Sequence, residues 1–61
     1  MDYQDAVALC ARLITMIKEL NPNHPDPWGP ARGVINEAED QYGVTPLQME
    51  KDVAYVLNQP K

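Results

Sequence analysis

The chain contains no serine, and it has one cysteine and one histidine. Nucleophilic catalysis therefore has little to draw on, and no glycine-rich phosphate loop is present. One cysteine, Cys10, cannot close an internal disulfide, and a lone thiol suits a reducing compartment. Cations are scarce as well: five Lys and Arg stand against nine Asp and Glu, for a net charge of −4. Arg12, Lys18, Arg32, Lys51 and Lys61 make no stripe. Binding to nucleic acid depends on clustered cations that neutralise phosphates, so this balance argues against it, and against anionic membrane surfaces too. No apolar run reaches the ~18 residues of a membrane span. The acidic opening Met1-Asp2-Tyr3-Gln4-Asp5 is unlike the basic start of a signal peptide. Met1 is read as a true start, so a complete small cytoplasmic protein is expected. These absences predict no enzyme, no catalytic, metal or cofactor-binding residues, no membrane association and no small-molecule substrate.

What is present is helical pattern. Sixty-one residues make a single domain, 1–61, which buries only about 60% of the surface its unfolded chain exposes. Such a chain is marginal without a staple or a partner. A first helix is predicted from about Asp2 to Leu20, with Asp2 as cap, Asp5 near the positive end of the dipole and Lys18 in the last turn. At about 100° per residue, Tyr3, Val7, Ile14, Cys10, Ile17, Ala6, Leu13, Leu20, Leu9 and Met16 fill one unbroken arc of roughly 180°. A surface helix usually shows an arc nearer 100°. The excess calls for a cover, and a second copy or another protein is the natural one. Leu9, Leu13, Met16 and Leu20 lie along one edge of the arc and are the predicted protein interface. Cys10 lies mid-arc and is expected to be a buried small hydrophobe.

Asn21 to Pro30 holds four prolines, which forbid helix and sheet and stiffen the connection. Trp28 is expected to lie over the junction of the first two helices. A second helix follows from about Pro30 to Tyr42, with Ala31, Val34, Ile35, Ala38 and Tyr42 inward and Gly43 as a left-handed cap. Gly33 lies off that arc. It either permits a close helix crossing or merely lowers propensity by ~1 kcal/mol. The third helix opens on a clear signal: Thr45 as cap, Pro46 first, Gln48 as reciprocal capping-box partner and Val44 with Met49 as hydrophobic staple. Its predicted buried stripe is Met49, Val53, Val56 and Leu57. The fold expected is all-α: a compact three-helix domain with a long N-terminal helix and a helix-turn-helix-like corner packed across it.

Residues 38–53 carry the spacing of that corner: a small residue, an apolar one, Gly43, Val44, the capping Thr45 and apolar Met49. Gly43-Val44-Thr45 through Met49, then Asp52-Val53, resembles the turn and second helix of winged-helix repressors. The chain departs from that pattern at two places. Glu39 stands where a small residue lets the helices approach, and Glu50-Lys51 replaces the usual basic pair. As a DNA binder the outward residues of the third helix would be Leu47, Gln48 and Lys51. His24-Pro25-Asp26 is the tripeptide of J-domain co-chaperones, and Ile35-Asn36-Glu37-Ala38 resembles the start of their next helix. The basic helix that precedes the tripeptide in that family is apolar here, its short leading helix is missing, and Pro27 replaces a lysine. His24 and Asp26 are also too few to hold zinc, and His24 is expected to be exposed.

Glu37, Glu39 and Asp40 crowd the C-terminal half of the second helix, where acids oppose the macrodipole, and Glu50 and Asp52 follow across the turn. Glu37, Glu39, Asp40 and Glu50 are therefore candidates for docking a basic partner surface. Together these features point to a small acidic interaction or regulatory protein of bacterial or phage type. It would bind protein, as a homodimer through its first helix. A helix-turn-helix DNA-binding regulator is the alternative.

Overall fold

A computed structural model of the chain describes residues 2–59. It contains three helices: α1, Tyr3–Leu20; α2, Gly29–Tyr42; and α3, Pro46–Leu57. No strand occurs among the described residues. Both α2 and α3 pack on α1 more extensively than on each other, so the long first helix is the central element and the chain is an all-α three-helix domain.

Local chemistry sets the helix ends. Asp2 Oδ1 accepts the Asp5 N–H at 2.9 Å, and the Asp2 N–H donates back to Asp5 Oδ2 at 3.4 Å. This reciprocal pair satisfies two backbone donors at the start of α1. The complete capping box is thus on α1. On α3, Thr45 Oγ1 accepts the Gln48 N–H at 3.2 Å, but the Gln48 side chain does not make the expected return bond. It reaches forward instead, its Nε2 donating to Asp52 Oδ1 at 3.1 Å. Gly43 ends α2 with φ 68°, and its N–H returns to Glu39 O at 3.0 Å. Only a residue free of a Cβ enters that region at little cost. Helix α2 begins one residue earlier than expected, with Trp28 at its N-cap and no side-chain capping bond.

The core is Ala6, Val7, Cys10, Ala11 and Ile14 from α1, Ala31, Ile35 and Ala38 from α2, and Met49 and Val53 from α3. No polar or charged residue is buried among those described. Tyr3, Trp28, Val34, Tyr42, Val44 and Leu57 pack around this cluster, partly covered. Trp28 and Val44 are thus both packed against the core. Ala11 joins the core although it lies outside the large-residue arc, because a methyl side chain lets a neighbouring backbone come close. Val56 was expected in the buried stripe and is 38% exposed. It stands about 60° around α3 from Val53, beside the open groove between α1 and α3 that it lines with Val7 and Tyr55. Gly33 has nothing within 4 Å of the position a Cβ would take, so it permits no close crossing and only weakens the helix.

Candidate functional site

The core takes one half of the α1 arc and leaves the other. Buried Val7, Cys10, Ala11 and Ile14 mark the covered side. On the opposite edge Met16 is 48% and Leu20 82% exposed, while Leu9 and Leu13 are partly buried. Of the four residues expected at an interface, Met16 and Leu20 are thus open to solvent, and Leu9 and Leu13 are partly covered. The row is continuous with an open groove of about 230 Å³ between α1 and α2, lined by Ala6, Leu9, Val34, Ala38, Gln41, Tyr42 and Glu37. That space is smaller than a ligand pocket, which usually starts near ~300 Å³, but it suits one apolar side chain. Val34 and Gln41 join the row through this groove. The i, i+7 spacing from Val34 to Gln41 was the available signal.

The candidate acidic residues do not share a face. Glu37 and Glu39 are two residues apart, hence about 200° around the helix. Glu37 is on the rim of the α1/α2 groove, and Glu39 occupies the other flank. Asp40 is exposed between them and Glu50 is half-buried.

Asp52 is used internally. The Tyr3 hydroxyl donates to Asp52 Oδ2 and Gln48 Nε2 donates to Oδ1, so both carboxylate oxygens are engaged and α1 is tied to α3. The Tyr3 ring also meets Tyr42 edge-on, with centroids 5.9 Å apart and planes at 71°, which adds α2 to the same junction. Burial, then the bond to Asp52, then that carboxylate's charge push the Tyr3 hydroxyl up to about 12. Cys10 is fully buried, its Sγ 3.9 Å from Ala31 O, and burial raises its thiol above the ordinary value. A thiol so placed is a packing group, not a nucleophile.

Of the DNA-contact candidates, Leu47 is 64% exposed, and Lys51 and Gln48 face outward, but the Gln48 amide is held by Asp52. Tyr55, 69% exposed, follows Leu47 and Lys51 at four-residue intervals. The outward strip of α3 is therefore two large apolar groups around one cation. In the α1–α2 loop the Asp26 N–H donates to His24 Nδ1 at 3.0 Å. Asp26 pairs with Arg32. His24 is half-buried, not exposed, because this turn folds its ring back on the backbone. Among the described residues no three of His, Cys, Asp or Glu gather where a metal ion would fit. No described helix is long and apolar enough to cross a membrane. No family model, curated protein or solved structure matches the chain at a significant level.

Proposed function

We propose that this is a small non-catalytic cytosolic interaction protein that acts by binding protein through the outer edge of α1, with a second copy of itself as partner. The row Leu9, Leu13, Met16 and Leu20, whose last two members are 48% and 82% exposed, carries this reading. Fully covering one such side chain is worth about 1.5–3 kcal/mol. A stable interface takes about 800 Å² from each side, close to a fifth of this molecule's 4352 Å². A dimer in the micromolar range is expected. Nucleic acid is not the proposed partner, since the outward strip of α3 offers a single cation between Leu47 and Tyr55.

Sedimentation equilibrium from about 0.5 µM to about 500 µM, a span that brackets micromolar affinity, tests the reading. The wild-type chain is expected to reach twice the monomer mass. Leu13→Glu, placed on the outer edge, is expected to stay monomeric with an unchanged helical circular dichroism spectrum. A wild-type chain that remains monomeric throughout overturns the proposal.

A further inference from the structure

We propose that the two copies dock antiparallel along α1, with Leu9 opposite the partner's Leu20, Leu13 against the partner's Met16, and Arg12 of each copy against Glu19 of the other. This rests on the reading of α1 as a self-association face and adds its geometry.

The row is its own complement. Leu9 with Leu20, and Leu13 with Met16, share one midpoint, between Ile14 and Thr15. A twofold axis at that level maps the row onto itself and leaves no member unopposed. At 1.5 Å per residue, Leu9 and Leu20 each stand about 8 Å from the axis, so the contact runs along most of the helix.

The charges beside the row fit the same symmetry. Arg12 and Glu19 are seven residues apart, hence within about 20° of each other around α1, on the flank away from α2. Both are exposed. The ion pair among the described residues, Arg32 with Asp26, involves neither. In an antiparallel twofold pair, like flanks meet. Arg12 lies about 4 Å to one side of the axis and Glu19 about 7 Å to the other. Each Arg12 therefore stands about 3 Å, measured along the helix, from the partner's Glu19, well within the reach of a guanidinium. Antiparallel packing also sets the positive end of each helix dipole beside the negative end of the other, whereas parallel packing sets like ends together.

Thiol cross-linking of the full chain tests the direction. Cys10 is wholly buried and can remain. Leu9→Cys and Leu20→Cys are oxidised alone and mixed, and products are read by intact mass. The mixture is expected to form the mixed disulfide at least about tenfold faster than either variant links to itself, since the interface raises the local thiol concentration. Faster self-linking by Leu9→Cys or Leu20→Cys overturns the antiparallel geometry while leaving self-association standing. A monomeric wild-type chain overturns both. A charge series keeps the test independent of the leucines. Arg12→Glu is expected to weaken the dimer by at least about fivefold, and Arg12→Glu with Glu19→Arg to restore it, because two exposed pairs are reversed and then re-formed. A double variant no tighter than Arg12→Glu refutes the pairing.

Discussion

Removing one oxygen from Tyr3 tests the junction that holds the three helices together. Tyr3→Phe keeps the ring and its edge-on contact with Tyr42, 5.9 Å between centroids, and deletes only the hydroxyl that donates to Asp52. A hydrogen bond to a charged acceptor contributes about 1.5–3 kcal/mol when the acceptor is left dry. Asp52 is half-buried, so water replaces part of what is lost, and a net cost of about 1 kcal/mol is expected. For a domain of this size that lowers Tm by about 4–8 °C. The pH dependence supplies an independent check. The Tyr3 hydroxyl is pushed from 10.0 up to about 12, chiefly by burial and then by Asp52. A raised pKa on an acid means that folding favours its neutral form. Below pH 10 both folded and unfolded chains hold the proton, and the contribution is fully present. Between pH 10 and about 12 the unfolded chain releases its proton first, so stability falls as pH rises. The fall is at most about 1.4 kcal/mol per pH unit, and less here because the ring is partly open to water. Urea unfolding of both proteins at a series of pH values isolates this group, since other titrations cancel in the difference. The wild-type advantage should be constant to pH 10 and shrink above it. Equal stabilities at neutral pH, or a gap that persists unchanged to pH 12, would refute the assignment.

Two glycines should respond in opposite directions to the same change. Gly43→Ala, at φ 68°, is expected to lose about 1 kcal/mol in denaturant unfolding, whereas Gly33→Ala, facing open space within a helix, is expected to gain about 0.5–1 kcal/mol. Cys10, fully buried with its thiol raised by burial, should react with a thiol reagent no faster than the chain unfolds. Rapid labelling under native conditions would show that the core opens locally. Arg32→Ala should change stability by less than about 1 kcal/mol in thermal melts, because the pair with Asp26 is 57% and 48% exposed and water competes for it.

The helix boundaries were legible because the groups that set them are neighbours in the chain. Asp2 caps α1 through a residue three positions on, Thr45 does the same for α3, and Gly43 closes α2 through its own backbone. The same locality explains the miss at Gln48. Its spacing from Thr45 permits the return bond of a capping box, but Asp52 lies one turn ahead and offers a charged acceptor, and a charge-assisted bond outcompetes a neutral one. The Tyr3–Asp52 link was not legible at all. It joins residues 49 positions apart, and periodicity reports angles around one helix, never which helix stands opposite. Val56 was misplaced for a related reason. A stripe drawn on one helix does not tell where its neighbour stops, and α1 leaves a groove at that point.

The row on α1 shows how far periodicity goes in placing an apolar edge outside the core. An arc of roughly 180° is too wide for the contact that one side of a small bundle supplies, so some edge had to remain uncovered. Periodicity alone could not say which, because rotating α1 as a rigid rod would bury Leu13 and Met16 and expose Val7 and Cys10 with the same pattern. The decision comes from side-chain bulk. The side taken by the core is rich in short residues, Ala6, Cys10 and Ala11, that let α2 and α3 approach, whereas the outer edge carries three leucines and a methionine that would hold them apart. The interior thus selects the edge on which close packing is possible. The long, unbranched or terminally branched side chains left outside remain free to interdigitate with a facing helix.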